Sequence, residues 1–217
     1  MAGWGWMMKI LSTGLATLMH PIVSFESILE DKGKWQSYME TAVLLLLVIL
    51  SRIGSIYWTH APLASIRPDR ANLIVEIAKI LVPFFTWGMA YYGVTSIMDG
   101  ETTLCEVLVS SAYSLTPYLI FTIPMSLLSN VMSTSEAGVY SFVFTFMWVW
   151  IVFLYFLSLK EMNDYTFGKA IGVFLLVLCT MILIWAIAVL FYVLTNNLWS
   201  FLKDLQLELR LLWLGRK

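Results

Sequence analysis

Long apolar runs separated by short polar segments dominate the pattern of this chain. Five of the runs reach the length of about 20 residues that an α-helix needs to cross the hydrocarbon core of a bilayer. They are apolar on every face, whereas the strands of a transmembrane barrel alternate apolar and polar positions. The pattern therefore predicts an all-α, polytopic transmembrane bundle of about five spans, covering residues 38–58, 73–97, 107–130, 136–159 and 168–195.

Both ends of the chain carry shorter, amphipathic patterns. Residues 4–19 place apolar side chains at three- and four-residue steps, which predicts an interfacial helix that ends at His20-Pro21, before a polar stretch from Glu26 to Lys34. Residues 196–217 alternate leucine with charge, which predicts a second interfacial helix. Its apolar side is the predicted partner contact, formed by Leu198, Trp199, Leu202, Leu205, Leu209 and Trp213.

These patterns divide the chain into three parts. Residues 1–36 are the N-terminal interfacial helix and polar segment, 37–195 the five-span bundle, and 196–217 the C-terminal amphipathic helix. The start of the chain lacks the charged region and cleavage site of a signal peptide, so we expect it to be retained. Basic residues are nearly balanced between the two sides, and the early loops favour a cytoplasmic N-terminus.

Composition supports the same class of protein. The chain is 60% hydrophobic and 12% charged, which is about half the charge of an ordinary soluble domain. We therefore expect no soluble domain. The net charge of −1 gives no reason to expect a nucleic-acid partner.

Three charged residues in or near the first two spans are the candidates for a functional site in the bundle. Arg52 lies inside the first span, and Glu76 and Lys79 lie in the first turns of the second. A lone charge in hydrocarbon costs at least about 2.5 kcal/mol, so we predict an intramembrane ion pair of Arg52 with Glu76. The cluster is either structural, with Lys79 reaching the interface, or part of a substrate or ion path.

Other polar features have structural interpretations. Pro83, Pro117 and Pro124 predict kinks within the second and third spans. Thr102 or Thr103 is expected to cap the third helix, with Glu106 completing a capping box.

The sequence carries no recognisable catalytic or cofactor motif. The two cysteines, Cys105 and Cys179, suit apolar packing rather than a disulfide or metal site, and His20 and His60 are far apart. Phosphate-binding loops, zinc-protease motifs and serine-nucleophile elbows are absent from the sequence. We therefore expect a protein that is not an enzyme and binds no cofactor and no metal.

Several short motifs resemble the Yip1-domain family of multi-spanning membrane proteins, in its bacterial branch. The motifs are DGETT followed by EV at 99–107, AYSLTPY at 112–118, LLSN at 127–130 and DYTFGKA at 164–170. The resemblance runs from about Glu76 to the C-terminus. Its motif positions are Asp99, Gly100, Glu101, Tyr113, Pro117, Tyr118, Tyr165, Gly168 and Lys169.

The resemblance implies a bundle of about five helices with a cytoplasmic N-terminus and no catalytic residues. Eukaryotic members of the family work in vesicle trafficking and bind small GTPases and each other. Some bacterial members look like accessory components of membrane transport systems, including carbohydrate ABC importers. This favours a non-enzymatic scaffold or accessory subunit of a bacterial plasma membrane, which contacts the lipid bilayer and binds other integral membrane proteins, such as ABC transporter permeases, or itself. The alternative is a transporter or channel that uses Arg52, Glu76 and Lys79.

Overall fold

A computed structural model describes residues 2–30, 34–60, 63–64 and 68–214. Within these ranges the chain is helical throughout, apart from turns and connecting segments, and contains no strand. Short 3-10 helices at Pro68–Arg70 and Thr134–Glu136 precede α4 and α7. The α-helices are α1 (Ala2–Met19), α2 (Pro21–Glu30), α3 (Lys34–Trp58), α4 (Leu73–Ile97), α5 (Leu104–Ser114), α6 (Thr116–Leu128), α7 (Ala137–Met162) and α8 (Phe167–Leu214).

Five helical segments of the described chain are long and apolar enough to cross a membrane. This confirms the predicted all-α class and the predicted number of spans. The segments are Tyr38–Trp58, Leu73–Ile97, Leu104–Leu128, Thr134–Met162 and Phe167–Glu208.

The third span is two helices rather than the single helix that was predicted. α5 ends at Ser114 and α6 begins at Thr116, with Leu115 between them. Pro117 explains the break, because proline has no N–H to bond the carbonyl of Tyr113 four residues back and its ring clashes with that carbonyl, whereas proline in the first turn of a new helix is favourable. This broken span is 67% buried, more than any other, and α5 packs against α2, α3, α4 and α7. The core of the bundle therefore lies around α5.

A helix that the sequence analysis missed follows His20. The stretch beginning at Glu26 was predicted only to be polar, and its residues up to Glu30 belong to α2. Phe25 and Ile28 lie three residues apart, are fully buried, and face the bundle, where α2 packs on α7 and α5. Side chains of residues 29–35 lie outside the described ones.

One face of α1 packs on the bundle. Ile10, Gly14 and Thr17 are buried, and α1 contacts α2, α5 and α6. Gly14 allows the closest approach, since a Cβ atom there would lie 3.2 Å from Cγ2 of Thr116 at the break in the third span. The predicted position of α1 at the membrane interface stays a prediction.

The chain forms two compact units, residues 1–177 and 178–217. In the first, Ala170, Val173 and Val177 of α8 are buried. In the second, α8 continues as a helix to Leu214, and every side chain from Trp185 to Glu208 is exposed. The helix has no end near residue 195, so the predicted division there into a spanning part and an interfacial part stays a prediction.

Candidate functional site

The charged cluster of the first two spans is built by the end of α3 and the start of α4. Arg52 lies about two turns before α3 ends at Trp58. α4 begins after Asn72, whose side-chain oxygen accepts hydrogen bonds from Ile74 N at 3.1 Å and Val75 N at 3.4 Å. This cap places Glu76 in the first turn of α4, where the helix dipole also favours a carboxylate.

The structure brings the three charged side chains together. Nη2 of Arg52 lies 2.7 Å and Nε 3.0 Å from Oε2 of Glu76, while Nζ of Lys79 lies 2.5 Å from Oε1. The Glu76 side chain is only 3% exposed, against 25% for Arg52 and 56% for Lys79. Glu76 therefore depends on the Arg52 contact more than on Lys79, because exposed ion pairs contribute little.

Tyr118 adds a hydroxyl to the same cluster. It lies in α6, is 6% exposed, and interacts with the Arg52 guanidinium. Because Tyr118 comes from a third helix, the cluster joins α3, α4 and α6. The sequence analysis named Tyr118 only as a motif position. The role of the cluster stays a prediction.

Asn163 joins the turn that follows α7 to the turn between α4 and α5. Its side-chain oxygen accepts a hydrogen bond from Oγ1 of Thr102 at 2.9 Å. Its side-chain nitrogen donates to the Tyr91 hydroxyl at 3.1 Å and to the Leu159 carbonyl at 3.0 Å. All four residues are buried, so Asn163 satisfies polar groups of α4, of α7 and of the turn before α5 that would otherwise be costly to bury. Sequence reasoning missed Asn163.

Tyr165 and Gly100 extend this junction. The Tyr165 hydroxyl donates to the Met98 carbonyl at 3.0 Å. A Cβ atom on Gly100 would lie 2.5 Å from the Asn163 side-chain oxygen and 2.8 Å from the Tyr165 hydroxyl oxygen. Glycine is therefore required by close packing between the two turns. Burial first, and then the Asp99 carboxylate, raise the pKa of Tyr165, which keeps its hydroxyl protonated as a donor.

Aspartates hold the backbone of both turns in the left-handed region. Asp99 has φ of 54° and Asp164 has φ of 48°, a conformation that aspartate tolerates better than most side chains. After the first turn, Thr103 N donates to Oε2 of Glu106 at 2.7 Å, which confirms the predicted capping box. The two motifs that surround these turns thus meet in one structure, which we call the turn junction: Tyr91, Met98, Gly100, Thr102, Asn163 and Tyr165.

The remaining motif positions fall in different places. Lys169 Nζ lies 4.4 Å from the centroid of the Tyr165 ring, beside the turn junction. Glu101 and Gly168 are exposed, and Pro117 lies in the first turn of α6. Motif positions therefore do not form one cluster.

A buried carboxylate that the sequence analysis did not single out lies near the other end of α3. Glu40 is 1% exposed, and its Oε2 accepts a hydrogen bond from the Tyr113 hydroxyl at 2.8 Å. Gln36 Nε2 lies 3.3 Å from Oε1 of the same carboxylate. The rule that located Arg52, that a charge in an apolar span needs a partner, applies equally to Glu40.

The predicted partner contact lies on the exposed end of α8. Leu198, Trp199, Leu202 and Leu205 are between 43% and 61% exposed. The side chains of Leu209 and Trp213 lie outside the described ones. These four side chains are therefore accessible to a partner protein. The contact with a partner stays a prediction.

Comparison with known proteins identifies the family. The model of the Yip1 domain matches residues 15–201, so the match begins well before Glu76, where the resemblance of the motifs began, and includes the first span. No curated protein and no solved structure matches the chain significantly. The family match covers most of the chain and agrees with its five spans and its paired turn motifs. The protein is therefore a multi-pass membrane protein that belongs to the Yip1 domain family.

Proposed function

We propose that this protein is a non-enzymatic scaffold or accessory subunit that binds other integral membrane proteins through the C-terminal part of α8. The observation that carries the proposal is the length of this helix. α8 has 48 residues, which at about 1.5 Å per residue corresponds to about 72 Å of helix. The hydrocarbon core of a bilayer is only about 30 Å thick.

Only the first part of α8 is needed to cross the bilayer. From Ala170 to Thr195 the helix has no charged or amide side chain, and Asn196 and Asn197 then end the apolar run. Those 26 residues make about 39 Å of helix, enough to cross with some tilt. The helix nevertheless continues to Leu214. The residues after Asn197 therefore need another environment.

These later residues carry a stripe of exposed apolar side chains. Leu198, Phe201, Leu202 and Leu205 recur at positions i, i+3, i+4 and i+7 and are exposed. An apolar stripe outside the hydrocarbon core is unfavourable in water, and a docked partner would cover it. We call this surface the α8 stripe.

The charges beside the α8 stripe favour a protein partner over a lipid surface. Lys203 is followed at once by Asp204, and Glu208 by Leu209-Arg210. A helix built for anionic lipid is mainly basic on its polar side. Mixed charge suits a protein interface, in which apolar anchors supply affinity and charges select the partner.

The family resemblance supplies the class of partner. A bacterial member that acts as an accessory component of a transport system, such as a carbohydrate ABC importer, would bind the permeases of that system in the plasma membrane. A second copy of this chain is the other partner that an exposed helix of this kind would fit.

Truncation after Asn197 tests the proposal. The shortened and full-length chains are purified from membranes in mild detergent, and the proteins that accompany each are compared. We expect the shortened chain to insert and accumulate, because its five spans are intact, but to lose a membrane protein that the full chain retains. Two differently tagged copies in one cell show whether that protein is a second copy.

A matched control separates the α8 stripe from the polar side of the same helix. Leu202→Ser with Leu205→Ser should reproduce the loss, whereas Ser200→Ala with Gln206→Ser, which changes no charge, should not. Retention of every partner by the truncated chain would contradict the docking role.

The alternative, a transporter or channel that uses Arg52, Glu76 and Lys79, has less support. Both carboxylate oxygens of Glu76 accept a bond from a cation of the cluster, and Glu76 is nearly inaccessible. An ion pair of this kind suits a structural role better than a site that releases and rebinds an ion.

A further inference from the structure

A cavity of about 380 Å³ lies where α3 ends and α7 begins. Its volume is within the range of about 300–1,000 Å³ that is usual for small-molecule sites. The last two turns of α3 and the first two turns of α7 form its sides, and Leu63 and Ala64 border it. The cavity is distinct from the α8 stripe and does not depend on the proposed function.

The lining combines polar and apolar residues from both helices. The apolar ones include Ile56, Ala137 and Phe144. The polar groups are one guanidinium and four hydroxyls, from Arg52, Ser55, Thr59, Tyr140 and Ser141. A lining of this kind suits a molecule with a polar group and an apolar remainder.

Two of the four hydroxyls already donate hydrogen bonds to backbone carbonyls of α3. Oγ of Ser55 donates to the Arg52 carbonyl at 2.7 Å, and Oγ1 of Thr59 donates to the Ser55 carbonyl at 2.6 Å. The Tyr140 hydroxyl interacts with Thr59 and lies within electrostatic range of Arg52. Ser141 is therefore the hydroxyl donor best placed to bind a molecule in the cavity, and Tyr140 can donate to such a molecule by turning its hydroxyl away from Thr59.

The net charge of the Arg52, Lys79 and Glu76 cluster favours binding of an anion in the cavity. Arg52 uses Nε and Nη2 for Glu76, and both go to the same oxygen, so Nη1 makes no bond to that carboxylate. Arg52 and Lys79 together carry two positive charges against the single negative charge of Glu76. The cluster keeps a net charge of +1, which one bound anion would neutralise.

The cavity runs from Arg52, inside the first span, to Leu63 and Ala64 beyond the end of α3. Arg52 precedes Trp58, the last residue of α3, by six positions, or about 9 Å of helix. Tyr57 and Trp58 have the amphipathic rings that are enriched at membrane interfaces. Arginine is well suited to phosphate, because its planar fork presents several donors to phosphate oxygens.

We propose that this cavity binds a phosphate group, held by the Arg52 guanidinium and the hydroxyls of Tyr140 and Ser141. Basic pockets between transmembrane helices bind lipid head groups in this way. A phospholipid and free phosphate share the chemistry of the site, and the apolar residues of the lining favour the lipid.

The test measures the melting temperature of the full chain in a neutral detergent. Three probes are titrated: phosphatidylglycerol, a diacylglycerol with the same acyl chains but no phosphate, and inorganic phosphate. We expect phosphatidylglycerol to raise the melting temperature in a saturable way and diacylglycerol to leave it unchanged. A saturable rise with inorganic phosphate alone would identify free phosphate as the ligand. The proposal is overturned if neither phosphate probe raises the melting temperature, or if diacylglycerol matches phosphatidylglycerol.

Variants locate the binding site without breaking the ion pair. Tyr140→Phe with Ser141→Ala removes two donors that make no bond to Glu76, and should weaken binding by about tenfold or more. Arg52→Lys keeps the positive charge but loses the planar guanidinium, and should also weaken phosphate binding. Lys203→Gln, in the C-terminal part of α8, should leave binding unchanged. An unchanged half-saturation concentration in the Tyr140/Ser141 variant, or a loss of binding in the Lys203 variant, would contradict the site.

Discussion

The Tyr165 hydroxyl donates a hydrogen bond to the Met98 carbonyl across a distance of 3.0 Å, although the two residues are 67 positions apart. This bond joins the turn before α8 to the turn after α4. Asn163 and Thr102 make a second bond between the same two turns at 2.9 Å. The turn junction therefore fixes the ends of α4 and α7 and the starts of α5 and α8 relative to one another.

Gly100→Ala tests the packing of the turn junction. The added Cβ atom would lie 2.5 Å from Asn163 and 2.8 Å from Tyr165, so both side chains must move. Overpacking of this kind costs about 1–3 kcal/mol, which thermal unfolding in detergent would detect as a lower melting temperature. Gly93→Ala is the control, because its Cβ atom would meet nothing within 4 Å and alanine suits a helix better than glycine. Equal melting temperatures for the two variants would contradict the proposed packing.

A double-mutant cycle tests the Arg52–Glu76 pair. Arg52→Ala and Glu76→Ala should each lower the free energy of unfolding by about 3–5 kcal/mol, because each leaves the other charge without its buried partner. The free energy of unfolding of the double variant should fall by less than the sum of the losses in the two single variants. Lys79→Ala should have a smaller effect, since Lys79 is 56% exposed. Additive losses in the cycle would show that the two charges do not depend on each other.

Tyr113→Phe tests the buried carboxylate of α3. The change removes the 2.8 Å bond to Glu40 and leaves the ring in place, so the expected loss is about 1.5–3 kcal/mol for a bond to a charged group. Tyr92→Phe is the matched control, because Tyr92 is exposed on α4. If the two variants unfold at the same temperature, the bond to Glu40 contributes nothing to stability.

Reporter fusions test the topology. Five spans place the two ends of the chain on opposite sides of the membrane, and the early loops favour a cytoplasmic N-terminus. A fusion after Lys34 should therefore report the cytoplasm, and fusions after Arg67 and Lys217 the opposite side. Cytoplasmic signals after both Lys34 and Lys217 would contradict an odd number of spans.

The sequence predicted the spans and the Arg52–Glu76 ion pair because both follow from the bilayer. Lipid offers no partner to a backbone amide or to a charge, so apolar length locates the helices and an isolated Arg52 demands a partner. Glu40 obeys the same rule, but it lies at the start of the first span, as its third residue, and was not singled out.

The turn junction was not predictable in the same way. Thr102 and Asn163 are 61 positions apart, and each has an ordinary local interpretation as a cap or turn residue. Only the packing of α4, α5 and α7 brings them together. The break at Leu115 was missed for a different reason, because Pro117 was taken to kink a continuous helix rather than to begin a new one.

Site-specific crosslinking from α8 in intact cells detects a protein docked on the α8 stripe. A photoreactive amino acid is placed at Leu202, on the α8 stripe, and separately at Lys203, one position away on the polar side. We expect irradiation to join Leu202 to one discrete membrane protein or to a second copy of this chain, with a much weaker product from Lys203. Crosslinks from Leu202 to lipid alone, or equal products from both positions, would contradict a docked stripe.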